Sequence, residues 1–274
     1  MSSPQNTVKT DLWLEPLSEE DHLQDFHEIS SDEPASLWST QPPTVSLEDS
    51  VHKMRTIYAR NPQKPWLAGY AVMSSEYPGP DGEPTTKMIG MVRTSQPSPC
   101  GLMFGYKIRS DCWGKGYGTR AVKMFLDEYW KEPRWAPRGE VFTAPRRISV
   151  TARNLSPPAD SVIDEAIASV NDKASPMETD EASALETDDA SSTSTNVFYG
   201  WEGKYPEPGG DDADMIIDIK HLIASVDLEN EGSMRVARKC GGKHVAVNNK
   251  SVKVWRFREK RDMAIWRMDR PGSR

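Results

Sequence analysis

Cysteine is scarce in this chain, and its placement excludes the usual thiol chemistries. The 274 residues contain three cysteines, Cys100, Cys112 and Cys240, which are odd in number and lack the spacing of a metal site. This usage fits a reducing compartment, so we expect no metal and no disulfide framework. Cys112 has no histidine or asparagine near it in sequence, and we interpret it as a small packing residue, not a nucleophile.

Long apolar runs are also missing. Residues 1–9 contain no hydrophobic segment of the signal-peptide type, and no stretch of 18 apolar residues occurs in the chain. We therefore expect a cytoplasmic protein, with nuclear access left open, and no membrane partner.

Basic stripes are absent as well, although the charge is unevenly spread. The net charge is −7, while residues 155–195 hold ten acidic residues and one lysine, so that segment carries −9 and the remainder +2. Since neither part has a basic stripe, the sequence predicts no nucleic-acid partner.

Aromatic residues are missing between Phe142 and Phe198. Residues 156–195 are rich in Ser, Ala, Asp, Glu, Thr and Pro, and such a composition cannot offset its chain entropy by burying apolar surface. We predict that 156–195 is disordered and acidic within an insertion over residues 132–212, with a short strand at 147–150 and a transient helical turn at 161–167. The insertion is either a tolerated surface expansion or an arm that is phosphorylated or binds a protein partner.

Glycine is concentrated where it carries chemistry. Gly114, Gly116 and Gly118 separate a predicted strand at residues 102–108 from a predicted helix at 120–130. The helix has one apolar face, formed by Val122, Phe125, Leu126 and Tyr129. A strand, a glycine loop and a helix start together favour anion binding, because free N–H groups and the helix dipole both attract phosphate.

Two nucleotide-binding motifs do not match this loop. A Walker loop needs Ser or Thr after Gly-Lys, whereas Lys115 is followed by Gly116. The dinucleotide fingerprint needs G-x-G-x-x-G, and here the glycines follow G-x-G-x-G. An ordinary glycine-rich turn remains an alternative.

The spacing does fit V-x-x-x-x-[Q/R]-x-x-G-x-[G/A], with Ile108 first, Trp113 sixth, and Gly116 and Gly118 last. In this the chain resembles the GCN5-related N-acetyltransferase (GNAT) superfamily, whose pyrophosphate loop for acetyl-CoA has this form. Trp113 departs from the usual Gln or Arg. The run W-G-K-G-Y-G-T is similar to the branch that includes ribosomal-protein N-terminal acetyltransferases.

A second stretch is similar to the family's N-x-x-S-x-x-[V/L]-x-x-K-x-G-F signature. The matching positions are Asn230, Ser233, Val236, Lys239 and Gly241. Arg238 replaces a common Glu and Gly242 replaces the usual aromatic residue. Asn230 and Ser233 have a second interpretation, since both are also good helix caps.

The resemblance implies one α/β (α+β) domain over residues 7–269, built from parts 7–131 and 213–269. Its mixed central sheet of about six to seven strands is flanked by helices and interrupted by the insertion. Local patterns agree: capping boxes at Ser18 and Ser46 predict helices to about residues 29 and 60, and residues 215–226 give the strongest strand signal. A further helix is predicted from Ser233.

The resemblance also implies acetyl-CoA as cosubstrate and assigns site residues. The backbone N–H of Ile108 polarises the acetyl carbonyl, and Ser233 is the candidate proton donor for the thiolate, with no tyrosine seen near it. The cofactor-binding set is Ile108, Arg109, Ser110, Trp113, Gly114, Lys115, Gly116, Tyr117, Gly118, Thr119, Asn230 and Ser233.

The general base and the acceptor stay open at this stage. Candidates for the base are Asp218, His221, Asp227, Glu229 or a water chain to bulk solvent. The prediction is an N-acetyltransferase acting on a primary amine, either a protein N-terminus or a small molecule, with acceptor specificity in the first helices and around residues 34–43. The alternative is a non-catalytic acyl-CoA-binding or scaffold protein with a regulatory acidic arm. Its support is the atypical Gly242, the absence of a tyrosine near Ser233, and the long acidic segment.

Overall fold

The computed structural model describes residues 11–58, 61–79, 81–143 and 213–272, together with the backbone of residues 196–198. The predicted strand at 147–150 and helical turn at 161–167 lie outside the described residues. The strands are β1 (Leu12–Pro16), β2 (Gly69–Pro78), β3 (Pro84–Ser98), β4 (Gly101–Ile108), β5 (Trp135–Pro137), β6 (Asn196–Phe198), β7 (Ile216–Asp218), β8 (His221–Asp227), β9 (Lys243–Val252) and β10 (Arg261–Asp269). The α-helices are α1 (Glu19–Ser31), α2 (Glu33–Ser36), α3 (Leu47–Lys53), α4 (Tyr117–Tyr129) and α5 (Glu231–Lys239).

The main sheet has the strand order β1-β2-β3-β4-β8-β10-β9-β6. Seven of these strands come from the two halves of the domain, which confirms the predicted mixed sheet, and the three-residue β6 adds an edge. Neighbours are antiparallel except β4 and β8, which are parallel and pair at Met103 and Ile223. The chain therefore joins its two halves at this parallel contact in the middle of the sheet.

Helices cover both faces of the sheet. One core packs α4 and α5 against it, with Phe125 and Tyr129 fully buried, and a second packs Phe26 and Ile29 of α1 on the other face. Among the described helices, none has both the length and the hydropathy needed to cross a bilayer.

The first helices begin where the capping patterns predict. Ser46 accepts from the Asp49 N–H while the Asp49 carboxylate accepts from the Ser46 N–H, both at 3.1 Å. The α-helical turns of α3 end at Lys53, however, and a π-helical turn over Met54–Tyr58 follows, so the predicted helix to residue 60 is not one regular helix.

The predicted strand over residues 215–226 was wrong in one respect, because it is two strands. β7 pairs with β5 in a separate two-stranded sheet, and β8 belongs to the main sheet. Between them the backbone turns inward: Ile219 is 1% exposed and its N–H bonds the Arg134 carbonyl at 2.9 Å. Because the residue between the two strands is itself apolar and buried, the sequence shows one continuous apolar run although it forms strands of two different sheets.

The pairing of β5 with β7 also folds part of the region assigned to the insertion. Ala136 and Val141 are fully buried in the main core, so the described domain extends through residue 143.

Candidate active site

The glycine loop links β4 to α4 through a 3₁₀ turn at Ser110–Cys112. Gly114 and Gly116 have φ angles of 77° and 79°, in the left-handed region that side chains with a Cβ rarely adopt. Gly116 is the N-cap of α4 and supplies no side-chain cap, so the helix start stays open. Both glycines are therefore required by the backbone and leave the N–H groups accessible.

Those N–H groups form a consecutive series without protein acceptors. The Trp113 N–H bonds the Ser110 carbonyl at 3.2 Å, and the Arg120 N–H bonds the Gly116 carbonyl at 3.1 Å. Within the described part of the chain, the N–H groups of residues 114–119 donate to no protein acceptor. Backbone donors clustered at a helix start fit the oxygens of a diphosphate. A residue with a Cβ at position 114 or 116 would disfavour this loop conformation, because it would be strained at a positive φ angle.

Trp113 ties this loop to the end of β4. Its indole Nε1–H donates to the Ile108 carbonyl oxygen at 2.9 Å, although the side chain is 50% exposed. The tryptophan thus makes a strand-to-loop hydrogen bond with a side-chain N–H at the position where the family pattern has Gln or Arg.

Ile108 presents its N–H to the gap between β4 and β8. Ile108 is paired with Gly90 of β3, and the next N–H, that of Arg109, bonds the Ile89 carbonyl at 2.9 Å. Along an antiparallel strand, successive backbone N–H groups point alternately toward and away from the partner strand. Since the Arg109 N–H points toward β3, the Ile108 N–H points away from it. β8 does not pair with β4 at this level, since their ladder contact is at Met103. A free N–H in such a gap can polarise a carbonyl.

Two hydroxyl groups meet behind this gap. Tyr106 Oη of β4 lies 3.1 Å from Ser233 Oγ of α5. Burial raises the pKa of Tyr106, and the hydrogen bond with Ser233 opposes that shift without cancelling it, so the phenol is protonated at neutral pH. The prediction that no tyrosine lies near Ser233 was wrong, because Tyr106 comes from the strand before the loop, 127 positions earlier.

The family profile described as "Acetyltransferase (GNAT) domain" matches residues 11–153. The chain belongs to this family. It is an N-acetyltransferase that uses acetyl-CoA, as the loop and its spacing imply. No curated protein matches the sequence significantly.

Solved acetyltransferase structures align with most of this chain at low identity. A spermidine N-acetyltransferase from Vibrio cholerae, in complex with CoA and spermine, is 10% identical, with a TM-score of 0.50 over 95% of this chain and 96% of that one. A GNAT-family acetyltransferase from Bacillus anthracis is 12% identical, with a TM-score of 0.49 over 95% and 96%. An N-acetyltransferase from Staphylococcus aureus Mu50 is 10% identical, with a TM-score of 0.45 over 95% and 99%.

Asn230 acts in this GNAT domain as the cap of α5. Its Oδ1 accepts the Ser233 N–H at 3.0 Å, so the capping interpretation of the second signature holds in the structure. The same bond fixes the first turn of α5 and with it the position of the Ser233 hydroxyl beside Tyr106. A structural cap and a site residue are thus compatible here. Contact of Asn230 with the cosubstrate stays a prediction.

Arg109 and Ser110 are engaged with protein carboxylates. The Arg109 guanidinium donates to Glu28, Tyr77 and Asp111. The Ser110 N–H donates to Asp32 Oδ2 at 2.8 Å. The Arg109 hydrogen bond lowers the pKa of Asp111 to about 2, so this ion pair persists at neutral pH. Both residues hold the loop to α1 and α2, and their contact with the cosubstrate stays a prediction.

The three candidate carboxylate bases are paired with arginines. Asp218 binds Arg270 through both oxygens at 2.7 and 2.6 Å. Asp227 is 2% exposed and binds Arg261, which also contacts Glu229. All three carboxylates are therefore engaged with guanidinium groups, and none is placed as a free base.

His221 and Cys112 are also unsuited to acid–base or nucleophilic roles. His221 Nε2 lies 2.8 Å from the Cys100 carbonyl, to which it donates, and burial lowers its pKa. Burial and the neighbouring Asp111 raise the pKa of the Cys112 thiol to about 11, so it is protonated at neutral pH. Across the residues that the structure describes, no group of three His, Cys, Asp or Glu side chains is arranged to hold a metal.

Proposed function

We propose that this protein transfers an acetyl group directly from acetyl-CoA to a primary amine in a ternary complex. The observation that carries the proposal is the Ile108 N–H, which faces an unpaired gap between the glycine loop and the Tyr106–Ser233 pair. Bound acetyl-CoA supplies an activated acetyl thioester, whose sulfur needs a proton once the acetyl group leaves.

The chain's own residues divide the work by position. The N–H groups of residues 114–119 hold the diphosphate at the start of α4. The Ile108 N–H donates to the acetyl carbonyl, where negative charge develops. The Tyr106 and Ser233 hydroxyls supply the proton to sulfur, with Ser233 on the first turn of α5 and the Tyr106 phenol behind it.

The amine proton goes to solvent in this proposal. All four side-chain bases suggested by the sequence are engaged with other groups, as described above. Gly105, on the opposite face of β4, is exposed, and an added Cβ would meet no atom within 4 Å. Water in this opening provides the path to bulk that the sequence left as an alternative.

The non-catalytic alternative loses two of its supports. One was the apparent lack of a tyrosine, which Tyr106 supplies. The other was Gly242, yet a Cβ there would sit 2.7 Å from Met268 Cε and 2.8 Å from the Ala237 carbonyl oxygen. Gly242 is therefore required by packing between α5 and β10, and it does not indicate a degenerate site.

The acceptor class has less support than the cosubstrate. The W-G-K-G-Y-G-T run keeps the ribosomal-protein N-terminal acetyltransferase branch as a candidate, and small-molecule amines remain the other class. The spermidine N-acetyltransferase has the same fold, which by itself assigns no acceptor.

A thiol-release assay over a panel of amines tests the function. CoA release that depends on an added amine establishes the enzyme. Stoichiometric acetyl-CoA binding with no amine-dependent release over the panel would instead support the binding or scaffold protein.

A further inference from the structure

The face of β4 opposite α4 contains an opening beside an unusual lysine. Strand alternation places Tyr106 and Ile108 toward α4, and Gly105 and Lys107 toward the α1–α3 side. Gly105 is exposed and has open space at its Cβ position. Lys107 is next to Ile108 in sequence, so its Cα lies about 3.8 Å from that of the residue whose N–H faces the reaction gap.

Lys107 is mostly buried without a carboxylate partner. Its Nζ donates to Ser36 Oγ at 2.8 Å, and the described residues offer it no other hydrogen bond and no carboxylate within 4.0 Å. Burial first, and then the nearby positive charge of Lys53, lowers the pKa of Lys107 to about 8. An ammonium with three N–H groups and one acceptor has capacity for an anion.

Two more cations on this side lack carboxylate partners within the described residues. Lys53 on α3 is half-buried, and burial lowers its pKa. Arg93, which pairs with Gly105 across β3 and β4, donates to the carbonyls of Ile57 and Thr94. By contrast, most other half-buried cations among the described residues have carboxylates: Lys64, Lys87, Arg109, Arg261, Arg267 and Arg270.

The acidic groups near Lys107 and Lys53 have other partners. Asp32 accepts from the N–H groups of Ala35 and Ser110 at 3.1 and 2.8 Å. Burial lowers the pKa of Lys53 and the charge of Asp49 opposes that shift, while the Asp49 carboxylate accepts from the Ser46 N–H in the cap of α3. Both carboxylates therefore lie near the two lysines but direct their oxygens to backbone N–H groups, and neither bonds a lysine ammonium.

Ser36 holds the ammonium of Lys107 through its side chain. It is fully buried, and its carbonyl accepts from the Trp255 Nε1–H at 2.8 Å while its hydroxyl accepts from Lys107. Nearby, Trp38 stacks on Phe257 with ring centroids 5.6 Å apart. The Trp255 hydrogen bond and the Trp38–Phe257 stack thus connect the end of α2 to the β9–β10 loop and fix the segment that contains Ser36.

We propose that the amine acceptor carries a carboxylate, which binds Lys107 with help from Lys53, and that polyamines lacking an anionic group are poor acceptors. This inference rests on the proposed function for the identity of the ligand, because it assigns the opening over Gly105 to the acceptor. The carboxylate gives Lys107 the directly bonded anion that the described residues do not provide, and it holds the amine close to the Ile108 N–H. Charge-assisted bonds of this kind add both affinity and orientation.

The carboxylate has two chemical sources, a free α-amino acid or an acidic side chain beside a peptide N-terminus. Three acceptor arms separate them: α-amino acids against their carboxamides, peptides with Glu against Gln at the second position, and spermidine. We expect kcat/KM to be about tenfold to a hundredfold higher for the carboxylate member of at least one pair, and spermidine to be as poor as the carboxamides.

Lys107→Met tests the residue, with Lys107→Gln and Lys107→Arg as companions and Lys131→Met, an exposed lysine at the end of α4, as control. We expect Lys107→Met and Lys107→Gln to bring the carboxylate acceptor down to the level of its uncharged analogue, with unchanged affinity for acetyl-CoA. Lys107→Arg and Lys131→Met should keep the preference. Thermal unfolding checks that each variant is folded.

A binding measurement separates failure of this inference from failure of the enzyme proposal. Calorimetry of the CoA-loaded protein with N-acetylated amino acids and their carboxamides reports on the anion site without turnover. Lys107-dependent carboxylate binding without amine-dependent CoA release would overturn the enzyme proposal and keep the anion site. Equal use of spermidine and carboxylate acceptors, a preference that survives in folded Lys107→Met, or no carboxylate binding in either assay overturns the inference.

Discussion

The two faces of β4 differ in which atoms form the binding surface. Toward α4, Tyr106 and Ile108 pack in the core, and the groups left for a ligand are backbone N–H donors and one hydroxyl pair. Toward α1 and α3, the strand presents Gly105 and Lys107, an open space and a cation without a carboxylate. In our proposal, backbone conformation therefore determines binding of the cosubstrate, and individual side chains determine binding on the other side. Backbone requirements leave a spacing of glycines, whereas side-chain recognition leaves no motif.

The most severe test of the α4 side is Gly116→Glu. The residue has φ 79°, so glutamate is strained there and places a carboxylate at the N–H series that we expect to hold the diphosphate. We expect the affinity for acetyl-CoA to fall at least about a hundredfold in calorimetry.

Gly82→Glu is the matched control for that change. Gly82 has φ 80° in the β2–β3 turn with open space around it, so the variant carries the same charge and similar backbone strain away from the loop. Acetyl-CoA binding should be unchanged in Gly82→Glu, and an unchanged affinity in Gly116→Glu would refute the loop as the phosphate site.

The hydroxyl pair should affect turnover more than binding. Tyr106→Phe and Ser233→Ala each remove one member of the 3.1 Å contact. We expect kcat to fall by about tenfold to a hundredfold, because protonation of the thiolate slows, with the acetyl-CoA affinity within about twofold of wild type.

The double variant sharpens this assignment. If the two hydroxyls act as one unit, the losses in kcat should not multiply in the double variant. Wild-type kcat in both single variants would remove the pair from the proton-transfer step.

On the opposite face, Lys107→Met should stabilise the protein at neutral pH by on the order of 1 to 2 kcal/mol, because a desolvated ammonium is removed. The pKa of Lys107 is lowered from 10.5 to about 8 in the folded state. Between these values the unfolded chain binds more protons, so wild-type stability rises with pH across that window and stays constant above it.

The stability difference between Lys107→Met and wild type should therefore be largest below pH 8 and shrink toward pH 10.5. Chemical denaturation of both proteins at pH 7 and pH 10 measures it. A pH-independent difference would mean that packing, not charge burial, controls the stability of this site.

Trp113→Phe should give the smallest effect. The change keeps an aromatic ring but removes the indole N–H that donates to the Ile108 carbonyl at 2.9 Å. A neutral hydrogen bond at a half-exposed position contributes about 1 kcal/mol, so we expect acetyl-CoA affinity to fall by about fivefold. A loss as large as that of Gly116→Glu would show that the tryptophan itself contacts the cosubstrate.

The sequence predicted those parts of the fold that depend on short-range chemistry. The glycine spacing indicated the loop, and the Ser46 and Asp49 pair indicated the start of α3, since each signal lies within a few residues. The break between β7 and β8 was missed because Ile219 continues the apolar pattern while its N–H bonds Arg134 from a distant segment.

Long-range contacts explain the misses in the site. Tyr106 reaches Ser233 across 127 positions, and the ion pairs that occupy Asp218 and Asp227 involve arginines in β10 or beyond it. Alternation along β4 was the available signal for Tyr106, because it places this residue on the same face as Ile108. No comparable sequence signal shows that Lys107 lacks a counter-ion.

The small β5–β7 sheet has a consequence for the tolerance of the chain to length changes. The Gly139 N–H bonds the Ala213 carbonyl at 2.9 Å, and the Arg138 N–H bonds the Met215 carbonyl at 2.8 Å, so the chain leaves and re-enters the domain at nearly one point. The entropy of closing a loop grows only with the logarithm of its length, about 0.6 kcal/mol per doubling. These two hydrogen bonds and the β5–β7 pairing hold the ends of the segment between residues 143 and 213 together. Apart from the edge strand β6, which pairs with β9, the described domain should therefore depend little on how long that segment is. The glycine loop and the Tyr106–Ser233 pair can therefore keep their relative positions while that segment grows or shrinks.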